Sequence, residues 1–156
     1  MYNGPAMRKL LLPVLAVICL APFSASASDA PCLKYEPEVV KLAGTMKRVV
    51  FPGPPNYESV KGGDAPETYY VLFLEQAVCV QGDPRSQTNS ETESGVKSLQ
   101  LMGIDYKKAR RLLGKPVVAE GTLMHSETGH HHTAVLLQVK SLAKQAKTAR
   151  ARTPKP

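Results

Sequence analysis

The fold is decided by residues 96–125, VKSLQLMGIDYKKARRLLGKPVVAEGTLMH, where a short helical segment separates two apolar segments. The apolar and β-branched residues at the two ends predict strands over 96–102 and 116–125. Between them, residues 105–113 predict a helix, because an Asp that can cap a helix comes first and a Gly that ends helices follows. The order strand, helix, strand is the centre of the predicted topology.

Further strands are predicted on both sides of this centre. Residues 39–51 alternate around Gly44, which marks a bulge or tight bend, and residues 68–74 are apolar enough for a strand buried on both faces. Residues 77–80 continue that strand or pair with it, and residues 133–142 form a hairpin with the strand after the helix. The sequence predicts a mainly β protein, an OB-fold-like five-stranded barrel with one short helix between strands 3 and 4. A small sandwich and an open β-roll are the alternatives.

The N-terminus has the pattern of a cleavable signal peptide over residues 1–27. A basic pair precedes the apolar run 10–22, and small residues lead to a cleavage site between Ala27 and Ser28. The apolar run has 13 residues, whereas a transmembrane helix needs about 20, so no transmembrane anchor is predicted. The sequence predicts a periplasmic or secreted protein.

Cleavage leaves one domain, a β-barrel predicted over residues 28–141, with two cysteines, Cys32 and Cys79. In an oxidising compartment, two cysteines in a small domain favour a disulfide. Two separate buried thiols are the alternative. If the disulfide forms, neither cysteine supplies a thiolate nucleophile.

Basic residues are concentrated at the C-terminus. Of the 20 Lys and Arg residues, six lie from Lys140 onward, while residues 28–139 carry 12 basic and 13 acidic side chains. The near-neutral domain predicts no nucleic-acid partner, since such sites need a basic groove. Residues 142–156 predict a disordered basic tail, either a solvated end or a weak contact for anionic surfaces.

All four histidines lie within eight residues: His125, His130, His131 and His132. Imidazole binds zinc, copper and nickel, so a histidine-based transition-metal site at the 125–132 hairpin is one hypothesis. A four-residue loop would place His125 opposite His130, with His132 on the same face, as a three-histidine site. Hydrogen bonds from loop side chains to backbone groups are the alternative without metal.

The apolar pattern of the hairpin favours a different register. On the first strand, the apolar residues that alternate with polar ones begin at Val117. On the second strand, the corresponding set begins at Val135. Pairing these inward-facing sets places His125 opposite His131 and leaves the other two histidines outside. Two ligands are too few for a transition-metal site, and Glu127 is the nearest carboxylate.

The loop over residues 52–66 carries the second hypothesis, a ligand-binding site. In an OB-fold, the loop after strand 1 and the loop between strands 4 and 5 flank the ligand face. The residues predicted to bind a ligand are Phe51, Tyr57, His130 and His132. The predicted partner is an envelope glycan, a peptide or a protein.

Enzyme motifs give no support to a catalytic function. The sequence contains no Gly-x-Ser-x-Gly, phosphate loop or dinucleotide fingerprint. The carboxylates of Glu67, Glu75 and Glu120 have no spacing that pairs them. The leading interpretation is a non-catalytic exported domain that binds an envelope component, and a metal-binding protein is the alternative.

Several strings resemble a family of exported bacterial domains known as domain of unknown function 4431. They are CLKYEP at 32–37, FPGPPNYES at 51–59, GDAPETYY at 63–70, and LGKPVVAEGTLMHSETGHHHTAVLLQV at 113–139. The resemblance covers about residues 32–141 and omits the basic tail. It implies a periplasmic or secreted bacterial domain with no assigned activity.

Overall fold

The computed structural model describes residues 31–146 of the chain. The signal peptide expected at 1–27 and most of the tail expected at 142–156 lie outside the described residues. The strands are β1 (Leu33–Lys34), β2 (Val39–Pro52), β3 (Pro66–Gln81), β4 (Glu93–Met102), β5 (Pro116–His125) and β6 (Val135–Lys144). One α-helix, α1 (Tyr106–Ala109), is present in the described part, with 3₁₀ turns at Val60–Gly62 and Arg110–Leu112.

The six strands form one mixed sheet in the order β1-β3-β2-β5-β6-β4, and β3 also pairs with β4. The pairings β1–β3 and β4–β6 are parallel and the others are antiparallel. Each strand from β2 to β6 therefore has a neighbour on both edges. The prediction of a mainly β protein with one short helix is confirmed at this level.

Strand β2 changes partners at Gly44. Before this residue β2 pairs with β5, after it β2 pairs with β3, and Gly44 itself is opposite both Leu74 and Val117. A Cβ at this position would overlap the carbonyl oxygen of Phe73. The predicted bend at Gly44 is thus the point where a third strand approaches so closely that no side chain fits.

The core consists of inward-facing apolar side chains from β2 to β6. Its fully buried members include Met46, Leu72, Leu99, Leu101, Val117, Ala119, Leu123, Val135 and Leu137. The inward-facing sets predicted for the hairpin strands are confirmed. Burying each large aliphatic side chain of this kind contributes about 1.5–3 kcal/mol.

A second buried layer lies on the outer face of the sheet. Val71 is paired with Gln100, which is paired with Leu136, so the three residues form a row across β3, β4 and β6. Each is at most 1% exposed, although none belongs to the inner core. Another segment must therefore cover this row, and that segment is the loop between β5 and β6.

The helix between β4 and β5 is shorter than the predicted span of 105–113. It begins after Asp105, whose carboxylate accepts hydrogen bonds from the backbone N–H groups of Lys107 and Lys108, and it continues as a 3₁₀ turn to Leu112. Gly114 follows with a φ of 70°. Both predicted ends are confirmed, and the tighter turn replaces the second half of the helix.

A disulfide joins Cys32 to Cys79, with 4.6 Å between their Cα atoms. It fixes β1, a two-residue strand that sequence analysis missed, beside the end of β3. At the other end of the domain, β6 continues to Lys144, so the ordered structure extends past the predicted limit at 141. No helix within residues 31–146 has the length and apolar content needed to cross a membrane.

Candidate functional site

The side chains predicted to bind a ligand meet around a carboxylate on β3. We call this group the Glu67 cluster; its members are Phe51, Tyr57, Glu67, Tyr69, His130 and His132. Phe51 and Glu67 are directly opposite each other on β2 and β3. Tyr69 also lies on β3. The loop 53–65 holds Tyr57, and the loop 126–134 holds both histidines.

Two imidazoles bind the Glu67 carboxylate, one on each oxygen. Nδ1 of His130 lies 2.6 Å from Oε1, and Nε2 of His132 lies 3.0 Å from Oε2. Burial alone would raise the pKa of Glu67, but hydrogen bonds from His132 and His130, and their charge, outweigh it and lower the pKa. The carboxylate is therefore held in its charged form, between one half-exposed histidine and one nearly buried one.

Aromatic rings flank both histidines. The rings of Phe51 and His132 are stacked, with centroids 4.4 Å apart and planes 2° apart, and Tyr69 lies 5.4 Å from His132. Tyr57 meets His130 edge to face at 5.6 Å, and its hydroxyl lies 3.4 Å from Nε2 of His130. These contacts set the ring orientations and leave Tyr57 partly exposed at the surface.

Tyr57 reaches His130 through an unusual backbone conformation. Its φ is 59°, in the left-handed region that costs a non-glycine residue about 1–2 kcal/mol. The ring lies over Gly129, where a Cβ would come within 2.9 Å of the ring carbons. The strain and the glycine together allow the two loops to touch.

Asp64 organises the loop that carries Tyr57. Oδ1 accepts hydrogen bonds from the backbone and side-chain nitrogens of Asn56, and Oδ2 accepts from the backbone N–H groups of Glu58 and Ser59, at distances from 2.8 to 3.2 Å. The backbone bonds from Ser59, Asn56 and Glu58 lower the pKa of Asp64. A single carboxylate therefore adds side-chain acceptors to the few backbone hydrogen bonds within this Pro-rich loop.

Replacing Asp64 with Asn is expected to loosen this loop. The amide nitrogen of Asn would face the N–H groups of Glu58 and Ser59, which would leave these donors without an acceptor. Amide hydrogen exchange at the two residues should accelerate at neutral pH. An exchange rate equal to that of the native chain would contradict the assigned role, and Lys61→Gln in the same loop is the matched control.

The same carboxylate predicts an acid transition in the native loop. Because the folded pKa lies below the ordinary 3.8, the stabilisation is present above that pH and is lost as pH falls through the lowered pKa. The Asn variant of Asp64 should lack this transition in the exchange rates.

Gln100 holds the loop 126–134 against the sheet. Its Oε1 accepts a hydrogen bond from the backbone N–H of His132 at 2.8 Å, and its Nε2 donates to the carbonyl of His130 at 3.0 Å. The backbone N–H of Gln100 donates to Oγ1 of Thr133. This fully buried amide thus fixes the backbone at both histidines that bind Glu67.

Both hairpin registers considered from the sequence are wrong. His125 is opposite Val135, and the connecting loop spans residues 126–134. Neither His130 nor His131 is therefore paired with His125. The backbone from His130 to Thr133 bonds to Gln100 on β4 instead of continuing the hairpin, which is why the strand starts later than predicted.

The four histidines consequently lie in different surroundings. His130 and His132 bind Glu67, while Nδ1 of His131 accepts a hydrogen bond from the backbone N–H of Glu127 within the loop. His125 instead faces Glu93 and Glu91, with its Nε2 at 3.1 Å and 3.8 Å from their oxygens. Within residues 31–146, Glu91, Glu93 and His125 are the one group of three potential metal ligands with all donor atoms within 4.8 Å.

Comparison with protein families gives one match, in the C-terminal part of the domain. The family model described as Domain of unknown function (DUF4431) matches residues 98–143. Residues 98–143 are therefore similar to this family. The family resemblance is confirmed over this segment, and the strings quoted at 32–37, 51–59 and 63–70 lie outside the match. No curated protein and no solved structure matches the chain significantly.

The segment that matches the DUF4431 model supplies only part of the Glu67 cluster. It contains Gln100 and the whole loop 126–134, and so both histidines that bind the carboxylate. Glu67 and the aromatic side chains come from β2, β3 and the loop between them, which precede the segment. The site therefore forms only when the segment is assembled with the N-terminal strands.

Sequence analysis found the histidines and Tyr57 but missed their polar partners. Glu67 was judged an isolated carboxylate, and neither Asp64 nor Gln100 was singled out. One signal was available for Gln100, a polar side chain inside the apolar run of 96–102. Glu67 had no comparable signal, because its partner His130 is 63 residues away in the chain.

Proposed function

We propose that this chain is an exported, non-catalytic domain that binds an envelope glycan strand at the Glu67 cluster. The observation that carries the proposal is the meeting of two loops at a charged carboxylate, with exposed and partly exposed aromatic rings around it. Sugar rings have apolar C–H faces that pack on aromatic rings and hydroxyl rims that bond to carboxylate and imidazole. The cluster offers both kinds of contact.

An OB-fold-like barrel is part of this proposal. The circuit of pairings among β2, β3, β4, β6 and β5 supports it, as does the helix between β4 and β5, which are the third and fourth of these strands in chain order. In such a barrel the loops 53–65 and 126–134 would be the two that flank the ligand face. OB-folds bind oligosaccharides and oligonucleotides there, and the anionic Glu67 together with the near-neutral domain disfavours an oligonucleotide.

Export is supported by two independent features. The leader over residues 1–27 has the basic, apolar and small-residue order of a signal peptide. The disulfide between Cys32 and Cys79 is of the kind that persists in oxidising compartments. Together they favour a periplasmic or secreted location, where an envelope glycan is available.

Tyr57, His130 and Glu67 are arranged in the order hydroxyl, imidazole, carboxylate, which catalytic relays also use. The 3.4 Å distance from the Tyr57 hydroxyl to His130 is at the long limit of a hydrogen bond. The Tyr57 ring also lies over Gly129, so the contact joins two loops. This geometry favours a binding surface over a reacting hydroxyl.

Glu67→Gln is expected to weaken binding to purified peptidoglycan about tenfold or more, since charge-assisted hydrogen bonds to the ligand and to both histidines are lost. Cosedimentation with insoluble sacculi and calorimetry with soluble fragments would measure the change. Glu75→Gln, an exposed glutamate on the same strand, is the matched control and should bind like the native chain.

Tyr57→Ala should weaken binding in the same assays, because it removes the most exposed of the Phe and Tyr rings in the cluster. The proposal fails if the native chain does not sediment with sacculi. It also fails if both variants bind like the native chain. Recovery of a protein crosslinked at position 57, without glycan binding, would favour a protein partner instead.

A further inference from the structure

A second cluster of side chains lies where β4 begins and β5 ends, separate from the Glu67 cluster. Nε2 of His125 lies 3.1 Å from Oε1 of Glu93 and 3.8 Å from Oε2 of Glu91. The potential ligand atoms of the three residues all lie within 4.8 Å of one another. In a tetrahedral zinc site with bonds near 2.05 Å, ligand atoms are about 3.4 Å apart. The distances from Nε2 of His125 to the two carboxylate oxygens lie on either side of this spacing.

Both ring nitrogens of His125 face oxygen atoms that accept hydrogen bonds. Nδ1 lies 3.0 Å from the carbonyl oxygen of Ser126, which only accepts hydrogen bonds, so Nδ1 carries the hydrogen. In neutral imidazole, Nε2 then directs a lone pair at the oxygen of Glu93. Two acceptors at this distance repel each other unless a cation, either a proton or a metal ion, lies between them.

The position of His125 is fixed in the way that metal ligands usually are. Its Nδ1–H is bonded to a backbone carbonyl, which orients the ring. Its backbone N–H donates to Oδ1 of the buried Asn89 at 2.9 Å. The side chain of Glu91 is 73% exposed, so an ion has a path from solvent to the cluster.

Tyr35 provides an independent sign of a missing partner at this place. Its side chain is only 5% exposed, and its ring meets that of His125 edge to face at 6.2 Å. Among residues 31–146, its hydroxyl is the one buried side-chain polar atom without a hydrogen-bond partner. Burial, followed by the charges of Glu93 and Glu91, raises the pKa of Tyr35 to about 12, so both carboxylates act electrostatically on this hydroxyl.

We propose that Glu91, Glu93 and His125 bind a divalent first-row transition-metal ion, with Zn²⁺ as the best fit and an open position beside the Tyr35 hydroxyl. Three protein ligands with one open position are typical of exchangeable or catalytic zinc sites. The imidazole nitrogen favours zinc over calcium or magnesium, which prefer oxygen ligands alone. A water bound to the ion would supply the partner that the buried hydroxyl lacks.

Calorimetric titration of the chelator-treated full chain with Zn²⁺ tests this site. We expect one ion per chain, no comparable binding of Ca²⁺ or Mg²⁺, and a visible absorption band when Co²⁺ is used in place of zinc. Glu91→Gln should weaken zinc binding about 10- to 100-fold and reduce the cobalt band. Because this side chain is largely exposed, its replacement leaves the fold intact.

The matched controls separate this site from the other histidines. Glu127→Gln, an exposed glutamate beside His125 in sequence, should bind zinc like the native chain. The double variant His130→Ala/His132→Ala, which removes the histidines of the Glu67 cluster, should also keep the site. Failure of glycan binding at the Glu67 cluster would leave these expectations unchanged.

Three results would overturn the metal site. One is absence of zinc binding by the native chain. Another is equal zinc affinity in the native chain and in Glu91→Gln and His125→Gln. The last is loss of zinc binding in the His130→Ala/His132→Ala variant alone, which would place the ion in the Glu67 cluster.

Discussion

Replacing both Cys32 and Cys79 with Ser is expected to lower the free energy of unfolding by about 4 kcal/mol. The two cysteines are 47 residues apart in sequence, so the disulfide removes a large part of the conformational freedom of the unfolded chain. A loss of this size is a large fraction of the total stability of a small domain. Urea unfolding followed by circular dichroism would measure it.

Local effects of the same change should be largest at β1. This strand pairs with β3 through only two residues, Leu33 and Lys34, and the disulfide is its covalent attachment to β3. Amide exchange there should approach that of a free chain, while exchange at Leu72 in the core should still require global unfolding. Reduction of the native protein should reproduce the double variant. Equal unfolding free energies for the oxidised native and double-variant proteins would refute the expectation.

Replacing Gln100 with Ala is expected to cost about 3 kcal/mol or more and to release the loop 126–134 from the sheet. The change leaves the carbonyl of His130 and the N–H of His132 without their partners and opens a cavity in a fully buried position. Denaturant unfolding would measure the stability, and amide exchange at His132 would measure the release of the loop.

A second substitution separates the hydrogen bonds from the cavity. Gln100→Leu fills the same volume without bonding to the loop, so it should recover part of the lost stability but none of the exchange protection at His132. Gln76→Ala, at an exposed position on β3, is the control and should change stability by less than about 0.5 kcal/mol. If Gln100→Ala behaves like this control, Gln100 does not anchor the loop.

Release of this loop should also disassemble the Glu67 cluster. His130 and His132 reach the carboxylate only because their backbone is bonded to Gln100. The Gln100→Ala variant should therefore lose binding at the Glu67 cluster as fully as Glu67→Gln does. Zinc binding at the cluster of Glu91, Glu93 and His125 depends less on Gln100, because His125 lies on β5 and is bonded to Asn89.

Much of the architecture follows from local sequence patterns. The alternation of apolar residues predicted the inner faces of β5 and β6, and the capping Asp105 and Gly114 predicted the limits of the helical segment. These features depend on neighbouring residues, whose side chains alternate in strands and repeat with a longer period in helices. Composition likewise sufficed for pairing the two cysteines.

The hairpin register depended on contacts that local patterns do not contain. Pairing the apolar sets alone placed His131 opposite His125, whereas Val135 occupies that position. The buried amide of Gln100, from a strand distant in sequence, bonds to the backbone near His132 and so extends the loop. Because the register of β5 and β6 depends on Gln100 in β4, it cannot be read from the sequences of β5 and β6 alone.

The sequence by itself determined a mainly β domain with a helix before its last hairpin, one cysteine pair and a cluster of histidines. Only the tertiary structure decided that these histidines separate, with His130 and His132 on Glu67 and His125 on Glu93. The physical reason is that a carboxylate forms hydrogen bonds with groups that are close to it in the folded structure, whatever their separation in the chain. The folded strands bring together groups that are 32 to 65 residues apart in the chain.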